Sequence, residues 1–84
     1  MQSDQKRDLI GILETIFRSE LDKPNLKLAA SDDMDTVTGW DSLAHVRIIA
    51  ALEAELGMQF DLEEIDEVTS VSKLLAALQK HSTA

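Results

Sequence analysis

The sequence predicts an all-α fold: a small four-helix bundle of three longer helices and one short helix, with a long loop between the first two. Apolar residues recur at helical spacing in three stretches of the chain, and no stretch alternates in the manner of a half-buried strand. A chain of 84 residues also has the length of one domain, so we expect residues 1–84 to fold as a single unit.

The first helix is expected from about Asp4 to Leu21, because Ser3 or Asp4 can cap its start and Pro24 follows its end. Its inward positions are predicted to be Leu9, Ile12, Leu13, Ile16, Phe17 and Leu21. Residues 24–41 show no sustained period and are predicted to form the long loop, a kind of connection that is often functional. The expected apolar anchors of this loop are Leu26, Leu28, Met34 and Val37.

The second helix is predicted to start at Asp41 or Ser42 and to end at Leu56, where Gly57 is a suitable C-terminal cap. Its apolar face is predicted from helical spacing as Leu43, Val46, Ile49, Ala50, Leu52 and Leu56. The polar residues assigned mainly to its outer face are His45, Arg47, Glu53 and Glu55.

The last third of the chain predicts two further helices. Asp61 precedes a short acidic segment and is typical of an N-cap, so it begins the short third helix. Ser70 is expected to cap the last helix. The residues predicted to face the core in this third are Met58, Phe60, Val71, Leu74, Leu75 and Leu78.

The composition excludes several classes of protein. The chain has no cysteine, which removes disulfides, thiolate chemistry and most structural zinc sites, and which fits a reducing compartment. Uninterrupted apolar runs reach only five residues, too few to span a bilayer, and the N-terminal residues lack an apolar segment of the signal-peptide type. We therefore expect a soluble cytoplasmic protein that does not insert into membranes.

The formal net charge of −8 is unevenly distributed along the chain. Between Ser31 and Ser72 there are eleven carboxylates and a single cation, Arg47. This distribution argues against binding to nucleic acid, whose phosphates need the opposite sign. It favours partners with basic patches, although a solvated acidic surface that keeps a small protein soluble explains the composition equally well.

Asp41, Ser42 and His45 contain the residue types of a hydrolase triad within one helical turn. Adjacent side chains on one exposed turn provide neither an oxyanion site nor a substrate cleft, so we expect no enzyme activity. His45 is instead expected at the surface. Two interpretations of Ser42 are open: a helix N-terminus stabilises an attached phosphate, but Asp41 or Ser42 could be only an N-cap worth about 1 kcal/mol. From these residues alone the N-cap is preferred, because Ser and Asp start a large share of helices.

The segment Gly39-Trp40-Asp41-Ser42-Leu43, followed by an amphipathic helix, resembles the attachment site of acyl carrier proteins, whose pattern is Gly-x-Asp-Ser-Leu. The order of helices and the acidity resemble that family along nearly the whole chain. The resemblance implies an acyl-carrier-protein-like fold and a 4'-phosphopantetheine arm, derived from coenzyme A, on Ser42. It also implies a carrier of acyl groups as thioesters that catalyses no reaction itself.

The resemblance further implies roles for the neighbours of Ser42. Asp41 and Leu43 would be recognised by the phosphopantetheinyl transferase, and Leu43 would also anchor the junction. Acyl-loading and acyl-processing enzymes with basic docking patches would contact Leu43, Val46, Arg47, Glu53 and Glu55. An acyl chain would be sheltered in a cleft near Val46, Ala50, Ile65, Val68 and Leu74, for which an ordinary place in the core is an equally good interpretation.

The sequence departs from the usual pattern of fatty-acid-synthase carriers. Ala44 and Arg47 stand where those carriers usually have acidic residues, and Trp40 replaces a small residue. We therefore expect a discrete carrier dedicated to a specialised acyl or aminoacyl pathway, which could be a fatty acid, polyketide or other acyl pathway, rather than the housekeeping fatty acid synthase carrier. We also expect the carrier to be a monomer. Two alternatives remain: an aminoacyl or peptidyl carrier, and an acidic helical adaptor that carries no cofactor.

Overall fold

A computed structural model describes the backbone of residues 5–82 and the side chains of residues 9–81. Its elements are α1 (Gln5–Leu21), α2 (Ser42–Leu56), α3 (Leu62–Glu67) and α4 (Val71–Ser82). The predicted all-α fold of three longer helices and one short helix is confirmed, and the expected helix start at Ser3 or Asp4 lies outside the described residues. In the part of the chain that the structure describes, no helix is both long enough and apolar enough to cross a membrane.

The core is formed by α1, α2, α4, the long loop and one buried residue on each side of α3, Phe60 and Val68, whereas α3 itself contributes no buried residue. The predicted loop anchors are confirmed, because Leu28 and Val37 are buried and Leu26 and Met34 pack against the core. The large side chains with almost no exposed surface are Trp40, Phe17, Leu13, Ile48, Leu52, Leu74, Leu78 and Val71.

The predicted inward face of α2 is wrong for half of its members. Leu43 and Val46 are 64% and 59% exposed, and Ala50 is exposed as well. The buried residues of α2 are Ala44, His45, Ile48, Ile49 and Leu52. Apolar residues surround most of this helix, so periodicity alone could not select the face that packs against α1.

The long loop before α2 is tied to helices at both of its sides. The Glu14 carboxylate of α1 accepts a hydrogen bond from the Leu28 amide at 2.9 Å, and Arg18 Nε donates to the Leu26 carbonyl at 2.7 Å. At the α4 side, the Val71 amide donates to the Asp32 carbonyl at 2.9 Å, beside an isolated antiparallel bridge between residues 33 and 70. These contacts satisfy backbone groups that a structureless loop would leave to water.

Glu64 connects α3 to α4. Its carboxylate accepts a hydrogen bond from the Asp61 amide at 3.2 Å, and His81 Nε2 lies 3.1 Å from both of its oxygens. The Asp61 amide, and then His81 and Lys80, lower the pKa of Glu64 below its ordinary value against an opposing effect of burial. Among the described residues, no group of three or more His, Cys, Asp or Glu could hold a metal ion.

Gly57→Ala is expected to lower the free energy of unfolding by about 1 kcal/mol. Gly57 ends α2 in the left-handed region at φ +64°, where a Cβ is strained although no atom lies within 4 Å of its position. Gly11→Ala is the matched control, because Gly11 lies inside α1 with equally open space and should gain about 0.5–1 kcal/mol. Urea unfolding followed by circular dichroism measures both changes, and equal signs would contradict the explanation.

Candidate functional site

A tight turn brings the chain from the loop into α2. The Trp40 amide donates to the Val37 carbonyl at 3.1 Å, and Gly39 adopts φ +93°, a conformation that favours glycine. The Trp40 side chain is only 2% exposed and meets Phe17 of α1 edge-to-face, with ring centroids 4.7 Å apart. This packing fixes the residue two positions before Ser42 and thereby fixes the start of α2.

Asp41, and not Ser42, is the N-cap of α2. Its backbone is extended, and its Oδ1 atom accepts a hydrogen bond from the Ala44 amide at 2.9 Å. Ser42 is therefore the first helical residue; it is exposed, and its side chain forms no hydrogen bond with residues 9–81. Because Asp41 caps the helix, the hydroxyl of Ser42 is not needed for capping.

His45 is buried, and its expected place at the surface was wrong. It is 5% exposed and is the one buried polar side chain among residues 9–81. The Trp40 indole N–H donates to its Nδ1 at 3.0 Å, and its Nε2 lies 2.8 Å from the Ile65 carbonyl oxygen. An indole nitrogen can only donate, so Nδ1 must accept, and the hydrogen of the neutral ring must then be on Nε2.

This arrangement argues against a catalytic triad at Ser42. Both ring nitrogens of His45 are engaged with Trp40 and Ile65, so neither is available as a base for Ser42. Helical spacing contained a signal for the burial of His45, since it lies three and four residues before the buried Ile48 and Ile49. The polarity of imidazole predicts the opposite, because histidine is buried less often than an aliphatic residue.

A groove of about 400 Å³ runs between α2 and α3 and lies beside the exposed face of α2. Its lining residues are Val46, Ile49, Ala50, Glu53, Leu62, Ile65 and Asp66. Among the residues assigned to an acyl-chain cleft, the structure brings Val46, Ala50 and Ile65 together here. It places Val68 and Leu74 in the core, with almost no exposed surface.

The residues assigned to partner binding fall into two groups. Leu43, Val46, Arg47 and Glu55 are exposed on α2, and Arg47 forms no ion pair within residues 9–81. Glu53 is only partly exposed, because its carboxylate accepts a hydrogen bond from the Phe60 amide at 2.9 Å. Leu43 is too exposed to anchor the junction by burial, contrary to expectation, and the buried Trp40 anchors it instead.

The sequence model of the family described as "Phosphopantetheine attachment site" matches residues 12–78, which include the whole of α2, α3 and the turn before Ser42. The chain belongs to this family. This carrier family has a covalently attached 4'-phosphopantetheine as its prosthetic group, and its members carry cargo to enzymes without being enzymes themselves. The carrier character and the cofactor predicted from the sequence are thereby confirmed.

The fold of this carrier is similar to that in the solution structure of a holo acyl carrier protein from Geobacter metallireducens. The two chains are 28% identical, with a TM-score of 0.77 over 84% of this chain and 82% of the other. The likeness supports the acyl-carrier-protein-like bundle that the sequence predicted. No curated protein sequence matches this chain significantly.

The start of α2 in this carrier fits a phosphate ester. The first N–H groups of a helix have no partner within it, and here the Ala44 and His45 amides are bonded to Asp41. The amides of Ser42 and Leu43 have no acceptor among the described residues. They lie at the positive end of the helix dipole, beside a hydroxyl that is exposed, which is the environment that a phosphate requires.

Proposed function

We propose that Ser42 holds the 4'-phosphopantetheine arm and that residues 1–84 act as one carrier domain for acyl groups. The observation that carries this proposal is the exposed Ser42 hydroxyl at the first position of α2, which Asp41 releases from capping. The arm supplies a thiol for thioester chemistry, which a chain without cysteine cannot supply itself. The protein contributes position, shelter and a surface for recognition.

The groove between α2 and α3 would shelter an apolar cargo. Val46, Ala50 and Ile65 give it an apolar wall, whereas Val68 and Leu74 are buried in the core and do not line it. This lining favours acyl cargo over aminoacyl or peptidyl cargo, whose polar groups would lose hydrogen bonds to water there. Loading assays with acyl-transferring and with adenylating enzymes distinguish these two cargo classes.

Partner enzymes would dock on the exposed face of α2. Leu43 and Val46 offer apolar contacts, while Glu55 and the partly exposed Glu53 suit the basic patches of acyl-loading and acyl-processing enzymes. Arg47 would repel cationic sites that face the middle of the helix and so restrict the set of partners. We place the carrier, a monomer in the cytoplasm, in a specialised fatty acid, polyketide or other acyl pathway.

The test is incubation of the apo protein with coenzyme A, Mg²⁺ and a phosphopantetheinyl transferase of broad specificity. Intact-protein mass spectrometry should show a gain of one phosphopantetheine, and fragmentation should locate the gain on Ser42. A second carrier protein in the same tube controls for the competence of the transferase. An unchanged mass beside a fully modified control would contradict the proposal.

Asp41→Asn and Asp41→Ala are expected to separate the two roles of Asp41. Asparagine is as good an N-cap as aspartate, so Asp41→Asn should keep the stability of α2, whereas Asp41→Ala should lose about 1 kcal/mol. If the transferase and its magnesium recognise the charge of Asp41, both variants should be modified at least about tenfold more slowly. Wild-type rates for Asp41→Asn would show that Asp41 is only a cap.

A further inference from the structure

The helix that forms the far wall of the groove cannot be stable by itself. α3 has six residues, none of them buried, and isolated helices need at least about 12 residues to be even marginally stable in water. The last carbonyl groups of any helix also lack partners within it. The position of α3 against α2 must therefore depend on contacts from outside α3.

His45 provides such a contact at the C-terminal end of α3. The Val68 amide bonds to the Glu64 carbonyl, and the Thr69 amide bonds to the Glu67 carbonyl at 2.9 Å. In a continued helix the Thr69 amide would donate to the Ile65 carbonyl, but here that carbonyl is left without a backbone donor within residues 5–82. The Nε2–H group of His45 donates to it at 2.8 Å.

The same imidazole is bonded to the turn that precedes Ser42. Its Nδ1 accepts from Trp40, two residues before Ser42, and the Trp40 ring packs on Phe17 of α1. One buried side chain on α2 therefore joins the wall of the groove to the turn that presents the Ser42 hydroxyl. His45 itself lines neither the groove nor the exposed face of α2.

We propose that His45 is a positioning residue, which caps the C-terminal end of α3 and holds that helix as the wall of the groove at a fixed place relative to Ser42. The contact with Ile65 exists without any arm, whereas its consequence for cargo rests on the proposed function. Loss of the donor at Nε2 should release α3, and loss of the acceptor at Nδ1 should not.

Two variants of His45 separate its two hydrogen bonds. The amide nitrogen of glutamine reaches the place of imidazole Nε2, so His45→Gln keeps a donor for Ile65 and loses the acceptor for Trp40. The oxygen of asparagine reaches the place of Nδ1, so His45→Asn keeps the acceptor for Trp40 and cannot reach Ile65. Each variant loses one hydrogen bond, so the two variants should have similar overall stabilities. Each variant is therefore the control for the other.

Hydrogen exchange of the apo proteins tests the capping role directly. In His45→Asn, the amides of Val68 and Thr69 should exchange about tenfold faster relative to those of α2 and α4, the change expected for one lost buried hydrogen bond. In His45→Gln, that ratio should stay at its wild-type value. Equal acceleration in both variants, or in neither, would overturn the proposal. If His45→Asn does not fold, the test rests on Trp40→Phe and His45→Gln, which both keep a donor for the Ile65 carbonyl. In both variants the amides of Val68 and Thr69 should be as protected as in the wild type, and a loss of protection would overturn the proposal.

Nitrogen-15 spectra of the imidazole provide a readout that overall stability does not affect. In the wild type and in Trp40→Phe, Nε2 should carry a hydrogen that is protected from exchange. A ring that carries hydrogen on Nδ1 could not donate from Nε2 to Ile65 in its neutral form, and it would overturn the assignment.

The consequence for cargo is measured on protein loaded from octanoyl coenzyme A by the transferase. The octanoyl form should melt at a higher temperature than the form with the bare arm in the wild type and in His45→Gln, and this gain should be lost in His45→Asn. A mass gain without any octanoyl-dependent stabilisation in the wild type would overturn the role of His45 in sheltering cargo while leaving Ser42 as the attachment point. Absence of the mass gain would contradict the proposed function alone, because the hydrogen-exchange result does not depend on it.

Discussion

Ser42→Ala should abolish modification by the phosphopantetheinyl transferase completely, because the ester can form only on a hydroxyl. The variant should remain folded, since the Ser42 side chain forms no hydrogen bond with residues 9–81 and Asp41 continues to cap α2. Its free energy of unfolding should therefore stay within about 0.5 kcal/mol of the wild type, as for most surface substitutions. Intact mass and urea unfolding measure the two results separately.

Ser72→Ala is the matched control for this variant. Ser72 is also exposed and also lies in the first turn of a helix, α4, but it does not follow an aspartate cap or a glycine turn. The Ser72→Ala variant should gain one phosphopantetheine to the same extent as the wild type. A mass gain that survives Ser42→Ala and disappears in Ser72→Ala would place the attachment at the wrong helix and refute our assignment.

Trp40→Ala should lower the free energy of unfolding by about 3–5 kcal/mol, the range observed for truncation of a buried aromatic side chain. Trp40 is 2% exposed, packs edge-to-face on Phe17 and donates a hydrogen bond to His45. Its truncation leaves a cavity under the turn before Ser42 and leaves His45 Nδ1 without a donor. Since small domains are stable by only about 5–15 kcal/mol, much of this protein's stability should be lost.

The measurement is urea unfolding followed by circular dichroism, because Trp40 is the only tryptophan and its fluorescence disappears with it. Leu62→Ala is the control, because Leu62 is 82% exposed on α3 and should change the free energy of unfolding by less than about 0.5 kcal/mol. The loss of unfolding free energy in Trp40→Phe should lie between those of Trp40→Ala and Leu62→Ala, since phenylalanine keeps the ring contact with Phe17 and loses the hydrogen bond to His45. A small effect of Trp40→Ala would show that the turn does not depend on this side chain.

Local sequence determined the helices and their ends. The residues at these ends act within a few positions along the chain: Asp61 precedes α3, Gly57 follows α2 with a positive φ, and the Ser70 hydroxyl accepts from the Lys73 amide. Such interactions do not depend on how the helices pack, so a single sequence is enough to predict them. The same locality made the junction before Ser42 recognisable.

Only the structure shows which residue is the N-cap of α2. Aspartate and serine are comparable caps, and Asp41 and Ser42 are adjacent, so the sequence left both possible. The structure decides for Asp41, because its Oδ1 reaches the Ala44 amide while Ser42 is already helical. This decision matters for function, since a hydroxyl that is not required as a cap is available for modification.

What the sequence determined, then, is the number and order of the helices, the acidity of the surface and the serine at the start of α2. What only the tertiary structure decided is which side of α2 is buried and what its polar residues contact. His45 forms hydrogen bonds with Trp40 and Ile65, which lie 5 and 20 positions away in the sequence. Glu53 accepts a hydrogen bond from the Phe60 amide, which lies beyond the end of α2. The hydrophobic pattern shows how apolar each face of a helix is. A buried polar residue, however, is stable only where it has a hydrogen-bond partner, and the three-dimensional arrangement of the helices determines that partner.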